Sequence, residues 1–436
     1  MSAGGVPTIG AVTWFRVRHW VADSLWVVPL VFGVAGWALS VAMIELDDAT
    51  PSIEALDFTS STATQLLAAL AGAAVAFTGF AFSVLLLVVQ LASSQLSPRA
   101  TRLAYRSLLS KISLGLWVGT LAYSVSVLES VTGSYVPQLS VAGAGILVFI
   151  SVVVFLLLIG RTSRILRPAP MSELCAAEGR KTIARVHSDP FGEAPASAPE
   201  ADGPETVVRH EGRGGVIVSI DVAGLVREAA RAECLLVAGP CVGDYVAPGD
   251  VLFTARGGTP DPERVRRAVI VGAERSFELD PLLPFRILAD ISIRALSPAV
   301  NDPTSSVQSL KRIHELLGDL AGRRLGPWSP RGPRGRVRLV LRGPDWEDYL
   351  AIGLAETIRY GAGSPQVARA LRSILLDLQA TVPEARRPPV ATRLAELDEA
   401  VAHEYRDPLA RAEALVPDRQ GFGPSPRDIR HDRRAP

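Results

Sequence analysis

Residues 62–91 read TATQLLAALAGAAVAFTGFAFSVLLLVVQL, and this stretch decides the fold. No charged residue occurs between Asp57 and Arg99, a run of 41 positions. A helix needs roughly 20 apolar residues to cross the hydrocarbon core of a bilayer, so the run is long enough to span it and project beyond. Ala69, Gly72, Ala76, Gly79, Ser83, Leu86 and Gln90 recur at alternating steps of three and four, which sets them on one stripe of a helix. The other faces carry Phe77, Phe80, Phe82, Leu85, Leu87 and Val88. Small residues let backbones approach closely, so the stripe predicts a helix packed centrally against others, with Gly72, Gly79, Ser83 and Gln90 as the helix-packing or pore-lining candidates.

Outward from this helix, three more apolar segments cover residues 24–44, 112–128 and 139–159. Arg99, Arg102, Arg106 and Lys111 stand between the second and third, and Arg161, Arg164 and Arg167 follow the fourth. Arg16, Arg18 and His19 precede the first, interleaved with Trp14, Trp20 and Trp26 in a pattern suited to lipid headgroups. The loop ELDDATPSIEALD has five acidic residues and no Lys or Arg, and SVTGSYVPQ has no basic residue. The excess of Lys and Arg on one side places both termini in the cytoplasm of a protein that crosses the inner membrane four times.

Hydrophobic residues make up 48% of the 436, concentrated before Gly160, while charges concentrate after it. A net charge of +1 gives no general attraction for nucleic acid. Cys175, Cys234 and Cys241 all lie in the charged part, with no metal or disulfide spacing, as expected of a reducing compartment. The expected organisation is an interfacial segment over 1–23, a transmembrane domain over 24–160 and a juxtamembrane helix with a Pro/Ala/acidic linker over 161–205. A small β-rich module over 206–260, a mostly helical domain over 261–416 and a disordered tail over 417–436 complete it. The fold class is therefore a membrane protein of four transmembrane helices followed by a cytoplasmic α+β portion.

Within that portion, strands are expected over 215–220, 234–238 and 251–254, a helix over 223–232, and two Gly-Asp turns between the last two strands. Helices are expected over 171–186, 264–271, 282–296, 304–317, 346–360, 365–380, 389–404 and 408–415, with one strand within RVRLVL, residues 336–341.

The densest polar constellation is LLPFRILADISIRALSPAVNDPTSSVQSLKRI, residues 282–313. Arg286, Asp290 and Arg294 are four apart, a carboxylate between two guanidinium groups on one helical stripe. Pro298 ends that helix, and Asn301 or Asp302 caps the next. The corner reads either as an ion-paired helix hairpin or as a site where the arginines and a helix N-terminus hold a small anion or partner. Catalysis by Asp290 would need an unpaired carboxylate, and two neighbouring arginines argue against it.

The segments RALSPAVNDPTS and QLASSQLSPR, together with IRYGAG, resemble the bacterial membrane-protein family catalogued as domain of unknown function 2254. The resemblance runs from the first span to about residue 410, and it implies a membrane location without an activity. The phrase GDYVAPGDVLF resembles the turn of biotinyl and lipoyl half-barrels but lacks their modified Lys, so it implies no covalent cofactor.

There is no Walker loop, no dinucleotide fingerprint, no HExxH and no CxxC, and the six histidines have no ligand spacing. No cofactor, metal site, nucleic-acid surface or enzyme activity is expected. Two readings of function stand. One is a homo-oligomeric pore in which the small stripe lines a path for a small ion and Gln90 rings its end. The other is a membrane-anchored sensor or scaffold using the corner around Arg286.

Overall fold

The computed structural model describes residues 24, 26–49, 58–95, 108–133, 135–165, 168–192, 203–330, 336–421 and 423. They fall into two compact units, one within residues 14–170 and one within residues 171–436. The expected interfacial segment over 1–23, most of the linker and the last residues of the tail lie outside the described residues.

The first unit holds helices α1 (Val27–Ala49), α2 (Ser60–Gln95), α3 (Leu108–Ser130) and α4 (Gln138–Ile165). All four are long and apolar enough to cross a membrane. Helix α1 runs past the expected end at residue 44 because its acidic last turn finds donors. The Asp47 carboxylate accepts from Leu139 N at 2.8 Å, Ser140 N at 2.9 Å and Ser140 Oγ at 2.6 Å, satisfying the amides that begin α4. The Tyr135 hydroxyl donates to Asp48 at 2.6 Å, and the Gln138 side chain bonds both backbone groups of Phe58.

The central helix is α3, not α2 as the small-residue stripe predicts. Helix α3 packs on each of the other three and is the most buried. Glycines explain its place. A Cβ on Gly36 would stand 2.2 Å from the Gly119 carbonyl oxygen, and one on Gly115 would stand 2.9 Å from the Phe32 ring. Helix α2 joins through Ala63, Leu67, Ala74 and Ala81, and its Phe77 stacks on Trp117 with ring centroids 4.6 Å apart. Tyr123, Val127, Val141 and Ala144 close the core at one end. The outer surface is as apolar as the inside, with Leu30, Val34, Trp37, Phe149 and Leu156 exposed, a surface that water-soluble bundles rarely present.

The second unit takes in all but the first three residues of α5 (Pro168–Val186). Next come β1 (Glu205–Arg209), β2 (Gly215–Ile220), α6 (Val222–Arg231), β3 (Leu235–Ala238), β4 (Tyr245–Val246), β5 (Val251–Arg256), α7 (Pro262–Arg267) and β6 (Val269–Gly272). Two sheets form, in the orders β1-β5-β3-β7 and β4-β2-β6, where β7 is Leu339–Val340. The module expected to end at residue 260 therefore takes strands from beyond it: β6 lies antiparallel to β2, and β7 lies parallel to β3. The helix expected over 264–271 stops at Arg267 because the run Val269–Gly272 is β-branched and pairs with β2. Leu225, Leu236, Phe253, Val265 and Leu339 fill the core under the sheets.

The remaining helices are α8 (Leu283–Ala295), α9 (Pro303–Ala321), α10 (Trp346–Leu350), α11 (Glu356–Gly361), α12 (Pro365–Thr381), α13 (Arg387–Glu404) and α14 (Pro408–Ala414). The single helix expected over 346–360 is instead α10, a π-helical turn over Ala351–Ala355, and α11. A turn of this kind inserts one residue and so rotates the helix beyond it. Of the tail expected to be disordered, the described residues 417–421 and 423 are tied down: Asp418 accepts from Gln420, Gly421 and Gly423 N, and Lys311 donates to Gln420 O at 2.8 Å.

Candidate functional site

The helix corner singled out in the sequence is built as a closed structure. Arg286 on α8 donates from Nε to Asp290 Oδ1 at 2.7 Å, one turn on. Its Nη1 and Nη2 also donate to Glu356 Oε1 and Oε2 at 2.7 and 3.0 Å, a two-pronged pairing with the first residue of α11. The Arg286 guanidinium is thus held between two carboxylates. Glu356 had no signal in the sequence because the π-helical turn decides where it points. Hydrogen bonds from Arg286 hold the Glu356 carboxyl below its usual range. Arg294 is engaged as well.

Asn301 takes the left-handed conformation at φ +45°, a tolerance Asn has because its short amide bonds locally. It lets the chain turn from α8 into α9, and Asp302 N then donates to Ala295 O at 2.7 Å. Asp302 caps α9, its Oδ1 accepting from Ser305 N at 3.1 Å and its Oδ2 from Ser305 Oγ at 2.5 Å. Arg286, on Asp290 and Glu356, and Asp302, on Ser305, spend their polar groups on partners within the chain.

The stripe on α2 lies elsewhere than expected. Ala69, Gly72, Ala76, Gly79, Ser83, Leu86 and Gln90 are all exposed, on the face turned away from the bundle. An added Cβ on Gly72 or Gly79 meets nothing within 4 Å. Ser83 Oγ turns back to Gly79 O at 2.9 Å, leaving the face smooth and nearly apolar.

A second polar constellation, which the sequence does not announce, sits where the sheet β4-β2-β6 meets the helices of its own unit. Asp280 is 1% exposed, and its Oδ2 lies 2.8 Å from Arg275 Nε. Its Oδ1 accepts from Leu282 N at 3.1 Å, at the entry to α8. Gly243, at φ +96°, lies flat against this pair: a Cβ there would stand 2.5 Å from Arg275 Nη2 and 2.8 Å from Asp280 Oδ2. The turn is fixed by Asp244, which accepts from Cys241 N at 2.8 Å. Burial pushes Asp280 up to about 6 against the pull of Arg275, and burial with Asp244 beside it pushes the Cys241 thiol up to about 12. Nearby, His187 Nε2 and the Tyr349 hydroxyl are 2.7 Å apart, and burial draws His187 down to about 4. Asp280 sits in FELDPLL, where nothing in composition or spacing marks it.

Among the described residues no group of His, Cys, Asp or Glu is arranged to hold a metal ion, and the three cysteines are free. The described residues thus form four helices long and apolar enough to cross a membrane, with an apolar exterior, followed by an α+β unit. The chain belongs to the family described as "Predicted membrane protein (DUF2254)", which matches residues 22–377. It is similar to an uncharacterised protein of Mycobacterium bovis, 30% identical over 423 residues, covering 92% of this chain and 80% of the relative. An uncharacterised protein of Mycobacterium tuberculosis is likewise 30% identical, with the same coverage. No solved structure matches the chain.

Proposed function

We propose that the protein is a homo-oligomer of the inner membrane, with both termini and the α+β unit in the cytoplasm, that provides a path for a small ion or solute where its copies meet. The observation that carries this reading is the outward stripe of α2. From Gly72 to Gln90 it runs about 27 Å at 1.5 Å per residue, close to the thickness of a hydrocarbon core. The bundle's own close packing uses other glycines, Gly36, Gly115 and Gly119, and leaves this face free for a second copy. The basic residues on alternate loops support the orientation. In the assembly the α+β unit regulates or joins the copies. The test is flux into liposomes with the full chain, Gly79→Leu and Gln90→Leu. Altered flux from folded variants supports the path, and absence of flux from the unsubstituted protein ends it.

A second reading is a membrane-anchored sensor or scaffold without permeation. It is favoured by the buried Asp280–Arg275 pair at the joint of sheet and helices, a place where a change of charge would be felt by both. The corner around Arg286 supports it less, because two carboxylates already occupy the guanidinium an anion would need. Loss of binding to a protein partner on Arg294→Ala, with no flux from any variant, would establish this reading over the first.

A further inference from the structure

Helix α3 has a face that its glycine contact with α1 does not use. Ser113, Trp117, Thr120 and Ser124 recur at steps of four, three and four, so they stand in one line about 16 Å long. None of the four is more than 1% exposed. Thr120 is satisfied, donating to Leu116 O at 2.7 Å and meeting Ser151 Oγ of α4 at 3.1 Å. The Ser113 hydroxyl, the Trp117 indole N–H and the Ser124 hydroxyl have no hydrogen-bond partner among the described residues.

Hydroxyls in an apolar helix usually turn back to the carbonyl four residues earlier, as Thr78, Ser83 and Ser151 do in this bundle. Ser113 and Ser124 do not. One buried group without a partner is an ordinary exception; three on one line, bracketing a hydroxyl pair between α3 and α4, are a pattern that calls for an occupant.

We propose that this line binds a file of water molecules inside each bundle. The chemistry selects water over other small ligands. The line offers hydroxyls that donate and accept and an indole that only donates, and it carries no charge to balance an ion. A buried water makes two to four hydrogen bonds to such groups. The file lies within one copy, on a different helix and a different face from the outward stripe of α2. The proposal rests on the reading that α1–α4 cross a membrane, and it is independent of whether copies assemble.

The test uses the full chain with nitrogen-15-labelled tryptophan in lipid nanodiscs. Magnetisation transfer from water to each indole N–H and exchange in heavy water are followed, with the Trp117 signal identified by Trp117→Phe. Trp346 is the internal control, a buried indole whose Nε1 donates to Arg386 O at 3.1 Å in the other unit. The expected result is direct transfer from water to Trp117 and none to Trp346, with transfer to Trp117 reduced in Ser113→Ala and Ser124→Ala. If Trp117→Phe does not fold, the shift of the same signal in the two serine variants identifies it. A Trp117 signal as protected as that of Trp346, without transfer from water, overturns the proposal. Failure of the chain to enter nanodiscs at all would instead count against the membrane reading.

Discussion

Gly36 and Gly119 touch backbone to backbone, with no room for a side chain on Gly36: its Cβ would fall 2.2 Å from the Gly119 carbonyl oxygen. In lipid, where apolar burial between helices gives little net drive, van der Waals contact at this range is a principal source of association. Gly36→Ala is expected to destabilise the bundle by roughly 1–3 kcal/mol, as overpacked interiors do. Unfolding in detergent measures it. A variant as stable as the unsubstituted protein would show that the α1–α3 contact is looser than described.

Gly79 is the converse case. Nothing lies within 4 Å of an added Cβ, so Gly79→Leu should unfold together with the unsubstituted chain. Its effect is expected in the association of copies and in flux. Loss of stability in the isolated chain would place the stripe inside the fold instead.

Arg286→Ala removes the cation held between Asp290 and Glu356. Arg286 is a quarter exposed and Glu356 half exposed, so water screens part of the loss; about 1–2 kcal/mol is expected, below the cost of breaking a fully buried pair. Arg286→Lys should restore only part of it, since a single ammonium cannot reproduce the two-pronged pairing with Glu356. Thermal melts of the two variants measure this, and full recovery with Lys would show that charge alone matters at this corner.

Asp280 and His187 make opposite contributions to stability between about pH 4 and 6.5. Asp280 has a raised folded pKa, about 6, so its contribution is full at low pH and is lost as pH rises through that value. His187 has a lowered folded pKa, about 4, so its contribution is present above the ordinary histidine value and is lost as pH falls. Asp280→Asn keeps the acceptor for Leu282 N and removes the buried charge. It should melt higher than the unsubstituted protein at about pH 7.5, with the advantage shrinking by about pH 5, where Asp280 is itself protonated. The Asn variant should also lose stability more steeply on acidification, because the His187 effect is no longer opposed. An Asn variant that is less stable at neutral pH would mean that the Arg275 pairing outweighs the burial.

The four apolar helices were legible because length and absence of charge suffice to define them. Helices α9, α12 and α13 were legible from periodicity and from the prolines at their starts. The strand Val269–Gly272 was not, since a short apolar run after a helical one looks the same in either state until β2 is there to pair with it. Helix α3 as the centre of the bundle was hidden because glycines mark close approach only when their neighbours are known: Gly72 and Gly79 are more regular in sequence than Gly36 and Gly119, yet only the latter pair touches. At the corner, Asp302 as a cap was readable from Asn-Asp-Pro, whereas Glu356, 70 positions after Arg286, depended on the π-helical turn just before it. Asp280 gave no local signal, since its character comes from burial under the Gly243 turn.

The native mass of the full chain in nanodiscs tests the central claim most directly. Three or more copies are expected, falling to one in Gly79→Leu while the bundle stays folded. A single copy for the unsubstituted protein would contradict the claim, because the path is assigned to the outward stripe of α2, between copies.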